Sequence, residues 1–131
     1  MKQRRNPSTI HAPLAGYSHQ IELRDAERML VLSGQIGMTS DGQLPDDAVD
    51  QLRLALENVL RNLEAADMAV SDLVKLTLYL TEPIDADTRR LVLADRLDEH
   101  APCMTLLYVA GLASPTIKVE VDAGASASEP P

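Results

Sequence analysis

Val74-Lys75-Leu76-Thr77-Leu78-Tyr79-Leu80-Thr81 alternates apolar and semi-polar side chains without a break. Successive side chains of an extended chain point to opposite faces, so this stretch predicts a strand with one face on a core and the other semi-polar. Upstream, from about Asp46 to Ala66, Val49, Leu52, Leu56, Val59, Leu60 and Leu63 recur at helical spacing. Asp50, Arg53, Glu57, Arg61 and Glu64 fill much of the remaining surface, which predicts an amphipathic helix with one buried side. Pro45 and the pair Asp46-Asp47 mark its start and place negative charge at the positive end of the helix dipole. Downstream, Pro83 opens a second helix over roughly Ile84 to Glu99, with Arg89-Arg90 and Asp95 to Glu99 on its wet sides.

Further out lie four more strands. Tyr17 to Leu23 and Met29 to Ser33 are joined by the charged turn Arg24 to Arg28, and Thr39-Ser40-Asp41-Gly42 forms a second turn. Cys103 to Ala110 and Ile117 to Ala123 are separated by Gly111-Leu112-Ala113-Ser114-Pro115. The resulting order is β-β-α-β-α-β-β, an α+β sandwich of one sheet and two helices. Residues 1–13 read as an irregular arm, 14–124 as the domain, and 125–131 (Ala-Ser-Ala-Ser-Glu-Pro-Pro) as a disordered tail.

Composition narrows the classes. A chain of 131 residues builds one core, and the absence of Phe and Trp leaves Leu, Val, Ile, Ala and Met to fill it. The single Cys103 forms no internal disulfide and fits a reducing compartment. No apolar run reaches the length of a membrane span, and the basic start has no apolar stretch behind it, so a cytoplasmic location is expected. A net charge of −8, scattered cations and only three tyrosines argue against nucleic acid as a partner.

Several short elements occur in a fixed order: Tyr17-Ser18, Ser33-Gly34-Gln35-Ile36, Gln51 followed by Leu56-Glu57-Asn58, the strand Leu73 to Leu80, Pro102, and Lys118-Val119-Glu120-Val121-Asp122-Ala123. Together they resemble the YjgF/RidA family, also known as endoribonuclease L-PSP, over about Tyr17 to Ala123. The resemblance implies a chorismate-mutase-like fold, one mixed sheet with two helices on one face. It also implies a homotrimer with three clefts between subunits, the semi-polar face of Lys75, Thr77 and Tyr79 suiting the trimer's inner barrel. Asp67 stands where the family usually ends the first helix with glycine; a left-handed Asp is tolerated there, less comfortably than glycine. In the family, an arginine after the proline grips a substrate carboxylate and a later glutamate positions water for imine hydrolysis. The glutamate corresponds to Glu120, but the arginine position holds Met104.

Alternation puts Met104, Leu106 and Tyr108 on one face of their strand and Cys103, Thr105 and Leu107 on the other. By resemblance, Met104 and Leu106 line the cleft. Methionine offers a flexible thioether where arginine offers a planar fork of donors. A substrate carboxylate would then face Glu120 without its counter-charge, unless Arg24 or Arg28 swings in, and that turn has no reason to aim inward. Glu120 is the expected acid or base for water. The backbone around Gly34 and Gln35 is an anchor for a carbonyl, and Tyr17 and the Ser33 hydroxyl orient a small ligand. Plainer readings stand beside these: Glu120 as a polar residue at a sheet edge, Gly34 as a tight turn or close packing.

His100 and Cys103 lack a third ligand at useful spacing, and Cys103 is expected to be a buried inert thiol. His11 and His19 read as structural or solvent-exposed, and Arg89-Arg90 as a solvated helix face. No metal or cofactor is expected. Two functions follow. One is a hydrolase or deaminase acting on an imine or enamine without a free carboxylate; the other is a non-catalytic trimer that binds or senses a small molecule. RNA cleavage is disfavoured by charge and composition.

Overall fold

The computed structural model describes residues 1–128. Its elements are β1 (Lys2–Arg5), β2 (Gln20–Leu23), β3 (Arg28–Val31), β4 (Gln35–Ile36), α1 (Ala48–Ala65), β5 (Leu73–Leu80), α2 (Ala86–Leu97), β6 (Cys103–Tyr108) and β7 (Val119–Ala127). The main sheet runs β3-β7-β5-β6, with β4 also pairing to β7. β5 and β6 are parallel, joined by α2 as a crossover, and the other pairings are antiparallel. The sheet is therefore mixed, and the chain is α+β as the sequence predicts.

Both helices sit on one face. Leu52, Leu56, Val59 and Leu63 of α1 and Val92 and Leu97 of α2 join Leu76, Leu78 and Leu80 of β5 and Val119 and Val121 of β7 in one buried cluster. Both helices begin on an aspartate: Asp47 accepts from Asp50 N at 3.1 Å and Asp85 from Thr88 N at 3.0 Å. Asp67 does adopt a left-handed conformation after α1, at φ 56°. Arg28 reaches across from β3 to donate to the carbonyls of Ala66 and Asp67 at that helix end.

Three boundaries differ from expectation. The arm before Pro13 contains a strand, β1, paired antiparallel with β2 from Lys2 opposite Leu23 to Arg5 opposite Gln20. Ion pairs Arg5–Glu22 at 2.6 Å and Lys2–Asp72 at 3.0 Å fasten it. Strand β2 starts three residues later than expected, and it pairs with β1 in a separate two-stranded ladder. The expectation of a single sheet is corrected to that extent. The third difference is the tail: β7 continues to Ala127, with Ala125 opposite Leu30 and Ser126 opposite Met29. Small side chains suit this close approach, and Ala125 and Ser126 are buried. The rest of the expected tail, 129–131, lies outside the described residues.

The motif residues on α1 turn out to be clamps. Gln51 is fully buried; its Nε2 donates to Pro45 O at 2.8 Å and Thr116 O at 3.0 Å, and its Oε1 accepts from Lys118 N at 2.9 Å. Asn58 Nδ2 donates to Ile36 O at 2.9 Å and Met38 O at 3.0 Å, holding both ends of the turn at Gly37. Asn58→Ala leaves two carbonyls short of a donor and is expected to cost about 1–2 kcal/mol in urea unfolding. A change below about 0.5 kcal/mol would mean that water replaces the amide without loss.

Candidate functional site

Seven residues were expected at the site, and the sheet divides them. In the β5–β6 ladder Met104 lies opposite Leu76 and Leu106 opposite Leu78, on the helix-covered face. In the β5–β7 ladder Glu120 lies opposite Tyr79, on the open face. Directly paired residues point the same way, so Met104 and Glu120 project from opposite faces of one chain's sheet. A carboxylate held beside Met104 does not face Glu120 of the same chain.

On the open face, β4 runs beside β7 with Ile36 opposite Glu120. The Glu120 side chain folds across Gly34: a Cβ built there would lie 2.0 Å from Glu120 Oε2 and 2.6 Å from its Cδ. Only glycine leaves room for the carboxylate in that position. Gln35 Nε2 donates to Ser33 O at 3.0 Å, which stiffens the same turn. Next door, Tyr79 OH donates to Asp122 Oδ2 at 2.8 Å. That hydrogen bond, then burial and the fields of Asp122 and Glu120, raise the tyrosine's pKa above its ordinary value. Asp122 is thus engaged, whereas the Glu120 carboxylate accepts no hydrogen bond among the described residues. Ser33, Gly34, Gln35 and Glu120 form one group.

The other group lines a groove of about 460 Å³ between α2, β6 and the segment 14–17. Tyr17, Met104 and Leu106 belong to it, with Leu14, Leu93 and Leu97. Buried Ser18 holds the segment in place: its Oγ donates to Ala101 O at 2.5 Å and its N to Pro102 O at 3.1 Å. Tyr17 OH accepts from Leu14 N at 3.2 Å, and the ring meets His19 edge-on with centroids 5.6 Å apart.

Neither arginine of the charged turn reaches the groove. Arg24 pairs with Glu22 at 2.5 Å, and Arg28 caps α1. The arginines that line it are Arg89 and Arg90 of α2, the pair expected to be a solvated face. Arg90 is exposed and bonded to Asp87 at 3.2 Å, as a solvated residue would be, but Arg89 is half-buried. The missed signal was helical spacing: Arg89, Leu93 and Leu97 recur every four residues and share one stripe.

Two of the histidines face backbone carbonyls. His100 Nε2 sits 2.7 Å from Leu73 O, and His19 Nε2 2.7 Å from His11 O. Cys103 is half-buried on the open face opposite Lys75, less enclosed than expected. Among the described residues no group of three His, Cys, Asp or Glu is placed to hold a metal ion, and no helix is long and apolar enough to cross a membrane.

The sequence profile of the family described as endoribonuclease L-PSP matches residues 9–127. The chain belongs to this family, that of YjgF/RidA. Among the relatives, Escherichia coli (strain K12) TdcF, named for reactive intermediate deamination, is 36% identical over 103 residues, covering 76% of this chain and 79% of TdcF. The 2-iminobutanoate/2-iminopropanoate deaminase of the same organism is 31% identical over 120 residues, covering 88% of this chain and 92% of that protein. The crystal structure of E. coli TdcF with bound serine superposes with a TM-score of 0.70 at 34% identity, covering 88% of this chain and 91% of that one. This RidA-family chain therefore shares its fold with proteins named as deaminases, and the groove wall on β6 carries Met104.

Proposed function

We propose that this RidA-family protein hydrolyses a small imine or enamine in the cytoplasm, at clefts between copies of the chain in a homotrimer. The observation that carries the reading is Glu120, a carboxylate laid over Gly34 and free of hydrogen-bond partners among the described residues. A carboxylate so placed can take a proton from water as the oxygen adds to the imine carbon, then return it to nitrogen. The same carboxylate then carries the proton of the added hydroxyl to the amine, the C–N bond breaks as the C=O bond forms, and ammonia leaves, so imine plus water gives carbonyl plus ammonia. The backbone around Gly34 and Gln35 and the Ser33 hydroxyl are the polar anchors on that side.

The two groups face apart within one chain, and a cleft between copies unites them. One copy supplies Tyr17, Met104 and Leu106, and its neighbour supplies Ser33, Gly34, Gln35 and Glu120. The open face has the character of a buried contact, since Met29 and Val31 are 68% and 82% exposed in the single chain, with Val31 in line with Lys75 across Gly124 of β7. Light scattering should return three times the chain mass; a monomer would remove the cleft.

Met104 makes the β6 wall apolar, so the substrate carries no free carboxylate beside its imine carbon. Wild type should release ammonia from a neutral ketimine and little from 2-aminoacrylate. Met104→Arg should raise the 2-aminoacrylate rate by about tenfold or more, the worth of one charge-assisted pair, and Met104→Arg/Glu120→Gln should lose the gain. A wild type already fast on 2-aminoacrylate would refute the role given to Met104. No release from either substrate would leave a binding protein in place of an enzyme.

A further inference from the structure

The groove between α2 and β6 is apolar along Leu93, Met104 and Leu106, but its charged groups are not evenly spread. Arg89 and Arg90 stand toward the amino-terminal end of α2, and Asp98 and Glu99 toward the other. Arg90 is engaged by Asp87. Arg89 Nη1 donates only to the backbone carbonyl of Ile84, at 3.3 Å, and among the described residues no carboxylate pairs with it. Asp85, whose carboxylate feels the Arg89 charge, is held by the Thr88 backbone N–H and hydroxyl at 3.0 and 3.1 Å. The remaining titratable groups of the lining are His100, whose Nε2 lies against Leu73 O, and Tyr17, whose OH accepts from Leu14 N. A half-buried guanidinium with donors to spare, at the edge of an apolar groove, is what an anion with an apolar chain requires.

We infer that Arg89 is the anion anchor of this groove and that its ligand is an amphiphilic carboxylate. The apolar chain lies along Leu93, Met104 and Leu106, with the carboxylate at the Arg89 end. The acidic pair Asp98 and Glu99 fixes that direction by repelling the carboxylate from the opposite end. From Arg89 to Leu97 the helix rises about 12 Å, enough for a short acyl chain. The inference rests on reading the groove as the substrate wall of the cleft. It adds that the carboxylate is remote from the reacting carbon, on α2, and not beside it on β6.

The test is a calorimetric or NMR titration of the full chain with hexanoate, hexanamide and hexylamine. Hexanoate should bind about tenfold tighter than hexanamide, with hexylamine weakest, and the preference should shrink as salt is raised. Arg89→Gln should erase the preference for hexanoate while leaving hexanamide unchanged, and Arg89→Lys should restore most of it. Arg53→Gln, which removes the same charge from the exposed side of α1, should change nothing. Equal binding of hexanoate and hexanamide by wild type overturns the inference without any variant. Equal losses in Arg89→Gln and Arg53→Gln overturn it as well, by showing a diffuse field. A protein that binds hexanoate through Arg89 but hydrolyses no imine refutes the hydrolase and keeps the anchor. One that hydrolyses neutral imines and ignores hexanoate refutes the anchor alone.

Discussion

Gly37→Ala is expected to lower stability by about 3 kcal/mol or more, toward the upper end of what overpacking costs. A Cβ at Gly37 would lie 2.3 Å from Gln51 O, 2.6 Å from its Cα and 2.8 Å from its carbonyl carbon. All three are backbone atoms in the first turn of α1, so no side-chain rotation relieves the contact. Moving the strand away from the helix strains the two bonds from Asn58 to Ile36 O and Met38 O. Moving the helix disturbs Gln51, which ties Pro45, Thr116 and Lys118 together. The thermal midpoint should fall by about 10 °C. A shift of only a degree or two would show that β4 and α1 separate freely, contrary to the packing described.

The second large effect falls on turnover and spares the fold. Gly34→Ala also creates an impossible contact, but with the free end of the Glu120 side chain, which can rotate away. Stability should therefore change by less than about 1 kcal/mol, while the carboxylate loses its position. If Glu120 moves the proton of water, Gly34→Ala and Glu120→Gln should each reduce ammonia release from a neutral ketimine by about 10²-fold or more. Glu120→Gln keeps the shape and removes the base, whereas Gly34→Ala keeps the base and removes its seat. Full activity in Glu120→Gln would exclude the proton role. A loss in Glu120→Gln with full activity in Gly34→Ala would mean that the carboxylate works from another rotamer.

The elements with a clear period were legible in the sequence. Leu76, Leu78 and Leu80 alternate, and Leu52, Leu56, Val59 and Leu63 follow the helical repeat, and both sets are buried where that pattern requires. Strand β1 was not legible, because Lys2-Gln3-Arg4-Arg5 offers no apolar face and owes its conformation to pairing with β2. Ala125 to Ala127 read as disordered from composition, yet the partners β3 and β5 give those small residues a place in the ladder. Gly34 and Glu120 could be named from resemblance, but their contact depends on β4 meeting β7. The separation of Met104 from Glu120 depends on strand register, which no single strand's alternation fixes. Local spacing alone puts Arg89 on the wet side of α2, because the segment 14–17 that walls in the groove is distant in sequence.

Strand β7, made after every strand it pairs with, lies between β3 and β5. On the ribosome, β3, β4 and the inner edge of β5 must wait for it with unpaired backbone groups. The earlier strands therefore emerge as an adhesive intermediate, open to strand exchange with other nascent chains until β7 slots in. Codons that slow translation just before Val119 are expected to lengthen that interval.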